Sequence, residues 1–189
     1  SNDNTNLGNE TIVAAQTVDY GKAVKSIDDW VFGAGGLDNQ RGWTGFKSYK
    51  GSSLGDFGRA LFGGNMKGWD CWAIYDQGNF NNPELDGKID KEGYMKVKYA
   101  LKIYSRVTKD KNGNERLDIR YAMPNNKKIT DDYADGLVGI LKKAGNTHIN
   151  FPNGLPESDL GTFRLSCAKQ GIVPMMKNLD ANKVKKMLE

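Results

Sequence analysis

Few side chains in this sequence have the chemistry of a nucleophile, a base or a metal ligand. There is one histidine, His148, and there are two cysteines, Cys71 and Cys167. Thiol catalysis is therefore confined to one arrangement, a cysteine activated by His148. Cys71 is the better partner. Asp70 would cap a helical turn starting at the thiol, and a helix N-terminus beside an imidazole lowers a thiol pKa. A short aromatic strand holding one small buried residue is the favoured account of Asp70-Cys71-Trp72-Ala73.

Metal and phosphate chemistry have weaker signals. Asn82, Glu84, Asp86, Gly87, Ile89 and Asp90 follow the oxygen-donor spacing of a calcium loop. The twelfth position, which must supply a bidentate carboxylate, is Gly93, so a polar turn is the expectation and no metal is assigned. Gly33-Ala34-Gly35-Gly36 and Gly51-Ser52-Ser53-Leu54-Gly55 are glycine-rich. They lack the Gly-Lys-Ser/Thr ending of a nucleotide loop and read as structural turns. No cofactor is expected. Cys71-Trp72-Ala73 has a passing likeness to the nucleophile segment of papain-like proteases, without that segment's glycines and glutamine, and no family is recognised.

Binding chemistry is better represented. All four tryptophans (Trp30, Trp43, Trp69, Trp72) and 12 of the 23 glycines fall between residues 30 and 78. Large rings on a backbone with few side chains read as a loop-rich surface that presents aromatics. Trp43, Phe46, Tyr49, Trp69, Asp76 and Phe80 form the expected ligand-binding set, because flat rings beside amides and carboxylates suit a polar ligand such as a glycan. A second surface is the outward face of a hairpin, where Lys96, Lys98, Lys102, Arg106, Arg116 and Arg120 interleave with Tyr94 and Tyr104. Cations and rings on a sheet are one way to hold single-stranded nucleic acid.

These residues need a scaffold, and its clearest element spans residues 94–123. Met95, Val97, Tyr99, Leu101, Ile103 and Val107 alternate with polar neighbours, as do Leu117, Ile119, Tyr121 and Met123, which predicts a half-buried antiparallel hairpin. A two-residue Asn112-Gly113 turn would set inward Val107 against outward Asp118. A three-residue loop, Lys111-Asn112-Gly113 with Gly113 left-handed, restores agreement and pairs Arg106 with Asp118 and Tyr104 with Arg120.

Other elements follow from caps and periodicity. Thr11–Val18 reads as a strand, and Asp19 as the N-cap of a helix to Trp30. Ser53 starts a helix to Phe62, and Trp69–Tyr75 reads as an aromatic strand. Thr130 caps a helix carrying Tyr133, Leu137, Ile140, Leu141 and Ala144, ended by Gly145. Thr147–Phe151 reads as a strand, residues 158–171 fit a helix or a strand, and Asp180 caps a last basic helix. The expected fold is α+β: an antiparallel sheet around the 94–123 hairpin, flanked by three to five short helices.

Length and composition set the frame. A chain of 189 residues suggests one domain, here 11–189, behind a disordered polar segment, 1–10. No run of 18 apolar residues is present to span a membrane as a helix. A net charge of +4 is mild, and solvated lysines account for it. The run Ser1-Asn2-Asp3-Asn4-Thr5-Asn6 reads as an expression scar or as a tether left by a removed leader. The second origin would place the protein outside the cell or on its surface. If Cys71 and Cys167 were bridged, the loop closed would be worth about 4–5 kcal/mol. The leading expectation is a non-enzymatic, exported or surface-associated binding module using segment 30–80. The alternatives are a nucleic-acid-binding or capsid-type protein using the hairpin face and a Cys71–His148 hydrolase.

Overall fold

The computed structural model describes residues 10–22, 30, 48–50, 68–74 and 99–175. A run of β-branched residues (Thr11, Ile12, Val13, Thr17, Val18) builds β1, Glu10–Asp19. The other strands of the main sheet are β2 (Ser48–Lys50), β3 (Asp70–Ile74), β4 (Leu101–Lys109) and β5 (Glu115–Pro124). They lie in the order β1-β5-β4-β3-β2, with every neighbouring pair antiparallel. The four longer strands carry the sheet, and three-residue β2 pairs along β3.

The β4–β5 hairpin has the register that its residue pattern predicts. Arg106 faces Asp118 and Tyr104 faces Arg120. Asp110 and Asn114 close a three-residue loop (Asp110 N–H to Asn114 carbonyl, 2.9 Å), and Gly113 takes φ +80°. Only glycine enters that region without steric cost.

Two helices and two short strands complete the described chain. Helix α1, Asp131–Lys143, starts at Thr130, whose hydroxyl accepts the Tyr133 N–H at 3.1 Å. Strand β6 (His148–Asn150) and strand β7 (Val173–Met175) pair in parallel, and helix α2 (Glu157–Gln170) lies between them in sequence. The ambiguous segment 158–171 is thus helical, and left-handed Gly171 ends it.

One face of the sheet, the inner one, packs on the helices. Trp72, Ile74, Leu101, Ile103, Leu117, Ile119, Tyr121 and Met123 share a core with Tyr133, Leu137, Ile140, Ile149, Phe151 and Phe163. A β-bulge between Ile12 and Ala14 sets two β1 residues against one on β5, which places both Val13 and Ala14 in this core. A buried polar link joins the helices: Asp135 accepts from the Ser166 hydroxyl at 2.6 Å and from Lys169 at 3.2 Å. The fold is α+β with an antiparallel sheet.

Several expectations change. Among the described residues there are two helices, not three to five. Asp19 is not a helix cap. It ends β1 opposite Arg116, the Tyr20 N–H continues the ladder to the Glu115 carbonyl, and Gly21 turns the chain. Glu10, expected in a polar lead segment, is the first residue of β1 and is fully buried. The hairpin is not half-buried throughout: Leu101–Ser105 are buried on both faces, whereas Val107, expected inside, is 48% exposed. The expected helices at 53–62 and from Asp180 lie outside the described residues. So do the calcium-like loop and both glycine-rich turns.

Candidate binding site on the outer sheet face

Register defines the second face of the sheet. Its rows run Cys71-Tyr104-Arg120-Ala15, then Ala73-Lys102-Ala122-Ile12 to one side and Arg106-Asp118-Thr17 to the other. The two sides differ in solvation.

Toward the start of β4 the face is buried. Lys102 reaches the Glu10 carboxylate (Nζ to Oε2, 3.0 Å) with both side chains almost wholly out of solvent. The Tyr99 hydroxyl donates to Oε2 at 2.7 Å and the Tyr104 hydroxyl donates to Oε1. The Lys102 ammonium also lies 4.7 Å from the centre of the Tyr99 ring. Burial pushes the phenols of Tyr99 and Tyr104 well above the usual tyrosine range, with the Glu10 charge acting in the same direction. Cys71 sits in this cluster. Burial raises its thiol well above 9.0, the Lys102 charge opposes that only in part, and Glu10 and Asp70 add to it.

This arrangement is the opposite of a nucleophile site. The Cys71 sulfur hydrogen-bonds the Trp72 carbonyl at 3.7 Å, whereas exposed His148 has its Nδ1 on the Thr147 hydroxyl at 2.7 Å. Cys71 is also in a strand, so Asp70 caps no helical turn. Both cysteines are free and buried, which removes the bridged alternative. Among the described contacts His148 is not a partner of this thiol, and burial holds the thiol protonated, so the Cys71–His148 arrangement gains no support.

Toward the β4–β5 turn the same face is solvated. Trp69, just before β3, is half-buried, and two guanidinium carbons lie against its ring: Arg106 at 4.3 Å and Arg120 at 5.3 Å from the ring centre. Arg106 is 42% exposed. Its Nε reaches Asp118 Oδ2 at 3.5 Å, and Asp118 Oδ1 accepts the Thr17 hydroxyl at 2.8 Å. Arg116 pairs with Asp19 in the row beyond.

The expected ligand set therefore divides. Trp69 stands in the solvated patch, and Tyr49 lies in β2 with its backbone opposite Ala73. Trp43, Phe46, Asp76 and Phe80 lie outside the described residues. Trp72 is buried and Trp30 packs half-buried on the core. The expected cation–tyrosine surface is interrupted: Lys102 and Tyr104 are buried, while Arg106, Arg116 and Arg120 are not; Tyr94, Lys96 and Lys98 lie outside the described residues. Sequence reasoning assigned Trp69 and the arginines to separate surfaces and missed Glu10. Residue type gave no signal for Glu10, because an acidic residue at the end of a polar run normally stays in water.

Among the described residues no cluster of histidine, cysteine and carboxylate side chains could hold a metal ion, and no helix is long and apolar enough to cross a membrane. Comparison with protein-family models, curated proteins and solved structures finds no match.

Proposed function

We propose that this chain is a non-enzymatic, exported or surface-associated binding module that takes a polar ligand on the solvated half of its outer sheet face. One observation carries this reading: Trp69, from the glycine- and tryptophan-rich segment, stands half-buried against Arg106 and Arg120 of the hairpin. Leaving an indole partly in water forgoes part of the roughly 1.5–3 kcal/mol that burying a large apolar side chain supplies. A ligand that covers the ring recovers it. Arg106 gives orientation and charge selectivity, since its guanidinium engages Asp118 through Nε and presents its terminal nitrogens beside the ring. The buried half of the face lies beside the site on the same strands.

The test is a binding panel of neutral glycans, acidic glycans and oligonucleotides, read by tryptophan fluorescence and repeated with Trp69→Ala and Trp69→Phe. The expected outcome is binding to at least one class, lost in Trp69→Ala, largely kept in Trp69→Phe, with both variants folded. Binding that survives Trp69→Ala unchanged, or no binding to any class, rejects the site.

A further inference from the structure

Resting on that reading of the outer face, we infer that the ligand is single-stranded nucleic acid, with Trp69 stacking a base and Arg106 and Arg116 contacting phosphates. The argument is a balance of donors and acceptors. On the outer face beyond the Trp69 ring the described carboxylates already accept, while Asp70 by register belongs to the opposite face. Asp118 uses one oxygen for Thr17 and the other for Arg106, and Asp19 takes Arg116. Sugar hydroxyls held in a ring-based site need acceptors as well as donors. The donors, by contrast, are in excess. Arg106 engages its carboxylate through Nε at 3.5 Å and Arg116 engages Asp19 through Nη1, which leaves the two terminal nitrogens of Arg106 and the Nε and Nη2 of Arg116 to a ligand.

A donor-rich surface around an aromatic plane selects a partner that supplies acceptors and a flat ring. Phosphodiester oxygens only accept, and every base has a stacking face, so a single strand supplies both at repeated intervals. Duplex is disfavoured because its bases are already stacked on one another and cannot lie on an indole. The arginines stand in adjacent rows of neighbouring strands, with Arg106 opposite Asp118 and Arg116 opposite Thr108, so the phosphate contacts run along the hairpin away from Trp69.

The experiment titrates the full chain with a labelled oligo(dT) and an oligo(U), each of about 15 nucleotides, a length that spans one single-strand site. Heparin and a duplex of equal length run in parallel. The expected result is binding of both single strands with quenching of tryptophan fluorescence, and weaker binding of the duplex. Two phosphate contacts give a salt slope of about −1.4, hence a loss of roughly sevenfold between about 50 and 200 mM salt. Arg106→Ala and Arg116→Ala should each reduce that slope by about 0.7. Trp69→Ala should weaken binding about tenfold to a hundredfold, the range of one lost base stack, with Trp69→Phe close to wild type. Trp69-dependent binding of heparin without binding of either oligonucleotide overturns the nucleic-acid inference and keeps the module. Oligonucleotide binding that ignores Trp69→Ala overturns the inference and the site together.

Discussion

The two halves of the outer sheet face use the same residue types with opposite results. Near the start of β4 a carboxylate, an ammonium and two phenols (Glu10, Lys102, Tyr99, Tyr104) meet out of contact with solvent. Nearer the β4–β5 turn a carboxylate, guanidiniums and an indole (Asp118, Arg106, Arg120, Trp69) meet in water. Cation, ring and carboxylate are not in themselves a binding motif. In the buried half the partners satisfy one another, and a missing one has no replacement. In the solvated half water can replace any of them, so a ligand can too.

The largest expected effect breaks the buried half. Removing one partner of a buried ion pair typically costs about 3–5 kcal/mol, because the other charge is left without compensation. Glu10→Ala should therefore lower unfolding stability by about that amount, since among the described residues Lys102 has no second carboxylate bonded to it. Replacing both partners, as Glu10→Gln with Lys102→Met, should restore much of the loss. Urea unfolding of the single and double variants measures this. A Glu10→Ala loss below about 1 kcal/mol, the size of an exposed pair, would erase the distinction between the halves.

Much of the frame was legible and the burial was not. The β4–β5 register could be read because side-chain direction alternates strictly and Gly113 suits one turn geometry, so the pairing of Arg106 with Asp118 followed from counting. Helix α1 was legible from Thr130, its first-turn aspartates and its final lysines, all local signals. What covers a strand is a long-range property. Lys102 and Tyr104 look like a solvated face in sequence, and the carboxylate that engages both is Glu10, more than 90 positions away on β1. The Asp19 error has the same origin. Asp is a good cap by type, yet the antiparallel partner Arg116 extends the strand through it. Trp69 was singled out as a ligand residue, but its arginine neighbours come from strands remote in sequence.

A second, smaller effect sharpens the contrast by pH. Burial, followed by the Cys71 thiol and the Glu10 carboxylate, holds the Tyr104 phenol above its ordinary 10.0. The folded state thus binds that proton more tightly than the unfolded state. The stabilisation is fully present below pH 10 and is lost as pH rises above it, by up to about 1.4 kcal/mol per pH unit for this one side chain. Tyr99 and buried Tyr121 are shifted in the same direction. Ultraviolet titration of tyrosinate should show these three tyrosines silent until alkaline unfolding, then appearing together with the loss of circular dichroism. Smooth ionisation of all eight tyrosines near pH 10, with the fold intact, would show the cluster open to water.

The smallest expected effect belongs to the solvated half and is the one most able to blur the comparison. Arg106 and Asp118 face each other across β4 and β5, but Arg106 is exposed and the approach is long at 3.5 Å. An exposed pair of this kind is worth about 0.2–1 kcal/mol, because solvent screens the attraction and ordering a long side chain opposes it. A double-mutant cycle with Arg106→Ala and Asp118→Ala should give a coupling in that range that shrinks as salt is added. The Asp118 variant has a further use. It frees the guanidinium of Arg106 from its carboxylate, so it should leave stability nearly unchanged while strengthening the hold on an oligonucleotide. A coupling of 3 kcal/mol or more would mean that the pair is as structural as Glu10 and Lys102. The arginines beside Trp69 would then belong to the scaffold, and the outer face would have no half reserved for a ligand.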